Sequence, residues 1–211
     1  MTFHRARRGL VLGSCFLMVM GMQSYVVATP TLAKGEIRNL STPAVVEEQI
    51  GGHTFSVSRV VVKARPEQCY QVLTDYANAP SVFPTLKKCQ VLEDHGATKL
   101  VRHVLAPTGQ LGKFDYTLEL KEEHNKALSW KRVRGDFKEL EGYWRLEPLD
   151  GGRSTLVTYS TYANGGIMIP QCLIRRQFHI DMPAVMMALK QQAESTTEIA
   201  SGHANERKNP L

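Results

Sequence analysis

The segment from Phe114 to Lys121 limits the possible folds of this chain most, because apolar and polar residues alternate along it without interruption. Successive side chains of a β-strand point to opposite faces, so the segment predicts a strand with one apolar and one polar face. A sheet built from such strands has a dry side that another element must cover. The apolar residues of this segment are Phe114, Tyr116, Leu118 and Leu120.

A helix and further strands are predicted on the two sides of this segment. Pro66 stands at a favoured first-turn position of a helix, and Cys69, Val72, Leu73 and Tyr76 follow at helical spacing. Val-rich, alternating or turn-bounded runs predict the remaining strands. These runs lie at residues 55–63, 88–93, 100–106, 127–133, 143–146 and 155–162.

A cover for the dry face is predicted near the end of the chain, where apolar residues recur at steps of three and four. Pro183 is expected to interrupt or kink this helix, and Asp181 is well placed to cap a second segment. The apolar positions are Ile174, Phe178, Met182, Val185, Met186, Leu189 and Ala193.

The order of these elements predicts an α+β fold in which a curved antiparallel β-sheet wraps around a long C-terminal helix. Where the helix fills the concave face incompletely, a cavity remains. Residues 53–195 are predicted to form this domain. Residues 29–52 are expected to be a linker with little fixed structure, and residues 196–211 a disordered tail.

The first residues have the order of an export signal. Arg5, Arg7 and Arg8 precede an apolar run from Leu10 to Met22, and small residues follow. Residues 1–28 are therefore expected to be a signal peptide that directs the chain to the periplasm or another extracytoplasmic place. An uncleaved membrane anchor is the alternative.

The charge balance argues against a nucleic-acid partner. The 26 basic residues include three in residues 1–33, which hold no acid, so 23 basic and 20 acidic residues remain. Such a mild excess is not the concentrated basic patch that nucleic-acid binding requires. It is compatible with weak contact to an anionic membrane surface.

Three cysteines lie after the predicted signal, at Cys69, Cys89 and Cys172. Their spacing matches no metal site, and small buried thiols are the favoured interpretation. A Cys69–Cys89 disulfide remains an alternative in an oxidising compartment.

Several stretches resemble the polyketide cyclase/dehydrase and coenzyme Q-binding family of the START-like superfamily. They are residues 66–76 with Phe83-Pro84, the hairpin region 135–148 with 151–159, and Pro170, Arg175-Arg176 and Met182-Pro183. The resemblance spans about residues 55–195. It implies a helix-grip fold with an internal pocket for a hydrophobic molecule such as a quinone, a polyketide or a lipid.

Apolar and aromatic residues on the predicted dry faces are the candidate pocket residues. Ordinary core packing would require the same residue types, and the resemblance favours a pocket. The candidates are Phe114, Tyr116, Leu118, Trp130, Phe137, Trp144, Leu146, Tyr159, Phe178, Met182, Val185 and Met186.

No catalytic residue, metal site or cofactor is expected, because nucleophile–base, phosphate-loop and metal-ligand motifs are absent from the sequence. Arg102 and His103 are neighbours on one strand, so one of them should face inward, where it could orient a polar ligand group. A bulge that turns it outward is the alternative.

Three functions remain open. The first is non-catalytic binding or transport of a quinone, isoprenoid or lipid in an apolar pocket. The second is an enzyme of the polyketide cyclase/dehydratase type, in which one polar group moves a proton. The third is an interaction module whose core is filled by its own side chains.

Overall fold

The computed structural model describes residues 40–109, 112–167 and 169–206, with side chains described as far as residue 196. The predicted signal or anchor at 1–28 and the linker residues 29–39 lie outside the described residues, as do residues 207–211 of the predicted tail.

Eight strands in the described part of the chain form one sheet in which every neighbouring pair is antiparallel. Their order across the sheet is β1-β2-β8-β7-β6-β5-β4-β3. Strands β2 and β8, which are distant in sequence, are therefore neighbours in the sheet. The strands are β1 (Val45–Ile50), β2 (His53–Val62), β3 (Leu86–His95), β4 (Thr98–Leu105), β5 (Phe114–Glu123), β6 (Ala127–Gly135), β7 (Glu139–Leu149) and β8 (Ser154–Asn164).

Three α-helices of the described residues lie with this sheet: α1 (Pro66–Thr74), α2 (Ala79–Val82) and α3 (Gln171–Glu206). Helix α1 begins at Pro66 as predicted, and the Gln68 side chain accepts a hydrogen bond from the Arg65 backbone N–H at 2.9 Å. Helix α3 packs against β2 and α1. The predicted sheet wrapped around a C-terminal helix is confirmed.

The alternation along β5 is confirmed at its centre. Tyr116, Leu118 and Leu120 are buried, whereas Glu119 and Lys121 are exposed. Thr117 is also buried, although it lies on the predicted polar face, and its hydroxyl accepts a hydrogen bond from Arg134 Nε at 3.4 Å.

The linker prediction for residues 29–52 is wrong for its second half, which contains β1. This strand pairs along β2 and is held there by an ion pair between Glu48 and Arg59, 2.7 Å apart. Such a short edge strand is stabilised by its hydrogen bonds to the neighbouring strand. The composition of residues 45–50 alone does not reveal this pairing.

The interruption predicted at Pro183 is also wrong, because α3 runs through Pro183 as a single helix; the alternative, a kink at this residue, stays a prediction. An internal proline removes one helical hydrogen bond at a cost of about 3 kcal/mol. Met182 and Met186, on either side of Pro183, are both buried. Asp181 does not cap a second segment; its carboxylate accepts hydrogen bonds from Thr108 N and Gln177 Nε2 instead.

The predicted disordered tail at 196–211 begins too early, since α3 continues to Glu206. No helix in the described ranges has both the length and the apolar character to span a bilayer. The three cysteines are free thiols, as favoured, but only Cys69 is fully buried, and Cys172 is exposed.

The glycine at position 142 in β7 supplies a test of this packing. A Cβ atom at Gly142 would lie 2.3 Å from the Ser160 carbonyl oxygen and 2.5 Å from the Trp130 ring. We expect Gly142→Ala to lower the free energy of unfolding by about 1–3 kcal/mol, since overpacking forces neighbours apart. Urea denaturation measures this change. The control Glu119→Ala, on the exposed face of β5, should stay within about 0.5 kcal/mol; an equally small change for Gly142→Ala would contradict the packing described.

Candidate functional site

An apolar cavity, called the main cavity here, lies between the sheet's concave face and the three helices. Its volume is about 160 Å³. This is many times the roughly 10–15 Å³ that one water needs on the same measure. The residues that line it are Leu73, Tyr76, Ala79, Phe83, Thr85, Leu86, Cys89, His103, Leu105, Tyr116, Leu118, Leu120, Leu128, Trp130, Phe137, Leu140, Trp144, Tyr159, Thr161, Phe178 and Val185.

A second space, the side cavity, measures about 80 Å³ in the same way and shares six lining residues with the main cavity: Thr85, Leu105, Phe137, Tyr159, Phe178 and Val185. The two cavities are therefore neighbours separated by a few side chains. The other residues that line the side cavity are Pro107, Phe114, Ile169, Ile174, Gln177, Asp181 and Met182.

Aromatic rings give the main cavity its walls, and the strand register positions them. Trp144 and Tyr159 are cross-strand partners on β7 and β8, and their rings stack with centroids 4.1 Å apart and an interplanar angle of 9°. Trp130, one strand further, lies 5.9 Å from the Tyr159 ring. On the other side Phe137 contacts Phe114 and Tyr116, with centroids 5.0 and 5.5 Å away. Flat rings held in this way present a rigid apolar surface.

The structure brings most of the predicted pocket residues together. Phe114 and Met182 border only the side cavity. Leu146 and Met186 border neither cavity and lie in the close-packed core, where α1 packs on β7 and α3 on β2. The remaining eight line the main cavity: Tyr116, Leu118, Trp130, Phe137, Trp144, Tyr159, Phe178 and Val185.

Several lining residues were missed by the sequence analysis. Leu73 and Tyr76 lie on the predicted apolar face of the first helix, so helical spacing could have found them. Phe83 lies between α2 and β3, and Leu86 is the first residue of β3, so no periodicity marks their buried side.

His103 faces the main cavity, which settles the choice between Arg102 and His103. Arg102 lies on the other face and forms an ion pair with Asp115. The His103 ring borders the cavity, lies deep in the protein and packs edge-on against the Tyr116 ring at 5.7 Å. Burial lowers the pKa of His103 from 6.5 to about 4, so the imidazole is neutral near pH 7.

The other titratable groups on the cavity wall are also held in their neutral forms. Burial raises the pKa of the Cys89 thiol to about 11 and that of the Tyr159 hydroxyl to about 12. It raises the pKa of Tyr116 strongly as well. In the described chain no Asp, Glu, Lys or Arg lines the main cavity.

A carboxylate closes one end of the main cavity without facing into it. Glu122 Oε1 accepts a hydrogen bond from Tyr76 at 2.5 Å, and its Oε2 accepts one from Tyr70 at 2.9 Å. Lys99 Nζ lies 3.8 Å from the same carboxylate. Burial and this carboxylate raise the pKa of Tyr70 to about 12, so its hydroxyl remains a donor. The cluster joins the α1 region to β5.

Helix α3 is joined to the loop after β4 beside the side cavity. Asp181 accepts a hydrogen bond from Thr108 N at 3.2 Å, and Gln177 Nε2 donates to Thr108 O at 2.9 Å and to Asp181 at 2.7 Å. These polar contacts are the boundary between the apolar interior and the surface.

A third cleft of about 290 Å³ has a different character. Opposite charges line it, and His53 Nδ1 lies 3.8 Å from Glu141 Oε1. Among the described residues no group of three or more His, Cys, Asp or Glu could hold a metal ion. The residues of this cleft are His53, Lys131, Arg132, Lys138, Glu139, Leu140 and Glu141.

The buried, neutral His103 gives a stability prediction that depends on pH. The unfolded chain takes up a proton on this residue below about pH 6.5, whereas the folded protein resists protonation until about pH 4. The unfolding free energy should therefore fall as the pH falls from 6.5 to 4, by about 3 kcal/mol from this residue. His103→Leu should lose that part of the decline in urea titrations at several pH values. Parallel pH profiles for the two proteins would contradict the buried neutral state.

Comparisons with known proteins place this geometry in a family. A family model described as "Polyketide cyclase / dehydrase and lipid transport" matches residues 62–190, which is more than half of the chain. No curated protein sequence matches the chain.

Solved structures share the fold at low sequence identity. A STAR-related lipid transfer protein from Xanthomonas axonopodis aligns with a TM-score of 0.61 and 17% identity over 78% of this chain and 96% of its own. The ZhuI aromatase/cyclase from Streptomyces sp. R1128 aligns with a TM-score of 0.59 and 17% identity over 66% and 93%. A START superfamily protein from Mycobacterium smegmatis gives 0.59 and 19% over 67% and 98%.

The matched range contains α1, the sheet from β3 to β8 and most of the α3 surface that closes the cavities. The chain therefore belongs to the polyketide cyclase/dehydrase and lipid-transport family.

Proposed function

We propose that this protein binds a mostly apolar small molecule in the main cavity and carries it without changing it chemically. The observation that carries the proposal is the cavity wall, which is aromatic and aliphatic and holds no formally charged side chain among the described residues. Transfer of apolar surface from water into such a site drives binding. Quinones, isoprenoids and lipids are the ligand classes of this chemistry.

The titration state of the wall supports carriage over catalysis. A general acid or base works best with a pKa near the working pH. The pKa of His103 lies at about 4, and the pKa of Cys89 at about 11, so neither group is poised for proton transfer near pH 7.

An enzyme of the cyclase type is the second candidate, favoured by the His103–Tyr116 pair at the cavity wall and by the resemblance in fold to the ZhuI aromatase/cyclase. In such an enzyme the pair would touch the substrate and move a proton. His103 would then have to act as a weak base, because its pKa is lowered, and Tyr116 as a weak acid, because its pKa is raised.

The size of the cavities bears on the third candidate, an interaction module with a self-filled core. The 160 and 80 Å³ spaces each lie below the ~300 Å³ at which ligand pockets commonly begin. The proposal therefore requires the side chains between the two cavities, including Phe178 and Val185, to move when a ligand binds.

The proposal includes weak contact with a membrane surface, from which an apolar ligand would be taken up. The Ile167 side chain is fully exposed on the loop between β8 and α3, and Leu173 is 40% exposed. Ile169 and Ile174, close to them in the chain, line the side cavity. Arg175 and Arg176 follow and could meet anionic headgroups. Export through residues 1–28 would place the carrier outside the cytoplasm.

A cavity-filling substitution tests the carrier directly. Val185 on α3 borders both cavities, so Val185→Trp should fill them and weaken binding of the neutral dye Nile red by about tenfold or more. Ala184→Trp, one residue away and exposed, is the matched control and should bind the dye like the wild type. Fluorescence titration beside a thermal melt measures both effects.

If the wild type binds no dye and Val185→Trp loses about 1–3 kcal/mol of stability through overpacking, the carrier proposal fails and the interaction module is favoured.

The membrane contact is tested by a fluorescent residue at the loop. Ile167→Trp should be quenched strongly by brominated lipids in vesicles of phosphatidylcholine and phosphatidylglycerol, because the indole enters the acyl boundary. Val133→Trp is the control, since Val133 is also an exposed apolar residue (51%) but lies on β6. Equal quenching of the two variants would refute contact through this loop.

A further inference from the structure

The main cavity has a polar corner formed by His103 on β4 and Tyr116 on β5. The two residues are cross-strand partners, and their rings meet edge to face at 5.7 Å. Both border the cavity. The strand register therefore directs two hydrogen-bonding side chains to one point of a mostly apolar wall.

These polar groups have no partner among the described residues. Neither side chain forms a hydrogen bond with another described residue, and burial is the leading cause of the pKa shift of each. A neutral imidazole offers one donor and one acceptor, and a phenol offers one of each as well. Buried polar groups in proteins almost always find a partner, and leaving them without one is costly. Their free hydrogen-bonding capacity faces the space that a ligand would fill.

Among the described residues no Lys or Arg places a fixed positive charge at the same corner. The guanidinium nearest in sequence, Arg102, lies on the opposite face of the sheet in an ion pair with Asp115. Lys99, on the same strand, is engaged by Asp94 at 2.7 Å and lies near Glu122. Desolvating an ionised carboxylate without a partner is far more costly than desolvating a hydroxyl or a carbonyl that is hydrogen-bonded.

We propose that this corner selects an uncharged ligand with a terminal hydroxyl or carbonyl oxygen, which hydrogen-bonds to His103 and Tyr116, and rejects the same skeleton ending in a carboxylate. The inference rests on the proposed function, since it assumes that the main cavity is the binding site. It narrows the ligand class to neutral polar-headed isoprenoids, quinones or lipid alcohols and excludes free fatty or isoprenoid acids.

A matched pair of competitors tests the selection in the full chain. Geraniol and geranate share one carbon skeleton and differ in their head group. At pH 7.5 geraniol should displace Nile red at a concentration at least about tenfold lower than geranate. The hydrocarbon myrcene gives the apolar reference without a head group.

Variants connect the selection to the corner. Tyr116→Phe and His103→Leu should weaken competition by geraniol about three- to tenfold relative to myrcene, because each removes a hydrogen-bonding group and leaves an apolar wall. Tyr143→Phe is the control. It removes a hydroxyl from the face of β7 that points away from the cavity, so it should leave the geraniol-to-myrcene ratio unchanged.

The outcomes separate the two proposals. If Nile red does not bind the wild type at all, the proposed function fails and the selection fails with it. If the dye binds and geraniol and geranate compete equally, or if the two variants keep the wild-type geraniol-to-myrcene ratio, the cavity binds ligands but the polar corner does not select them.

Discussion

The covering of one dry sheet face by one long helix is the constraint on which the rest of this structure depends. Eight antiparallel strands place their large apolar side chains on the concave side, and α3 closes that side by packing on β2 and α1. Where α3 lies directly on the strands, Met186 and Leu189 are completely buried. Elsewhere, α3 and the stacked rings of Trp144 and Tyr159 line the main cavity.

The carboxylates near this cavity lie at its edges. Glu122 is bound by two tyrosine hydroxyls at one end, and Asp181 is bound by the loop after β4 beside the side cavity. His103 and Tyr116 differ from these carboxylates, because both border the cavity and lack a hydrogen-bond partner among the described residues. An apolar chamber with one neutral hydrogen-bonding corner is suited to hold an amphiphile of low polarity, which is why the account favours binding over chemistry.

Most of the strands and their inward faces could be predicted from the sequence because alternation reports burial directly, as at Leu118 and Trp144. Depth along the helix axis could not be predicted, so Leu146 and Met186 were placed in the pocket although they lie in the packed core. Periodicity identifies a face but not the part of that face that a neighbour covers. On β4 the two faces carry similar apolar residues, so only the three-dimensional register shows that His103, rather than Arg102, enters the cavity. β1 and the unbroken α3 at Pro183 depend on tertiary packing that local rules do not contain.

Native mass spectrometry of the protein purified from its own host tests the central claim most directly. We expect the mass of the polypeptide plus one bound molecule. Organic solvent should release this molecule, which should be neutral and apolar and contain a hydroxyl or carbonyl oxygen. A bare polypeptide mass under conditions that preserve non-covalent complexes would contradict the account, and so would an anionic ligand.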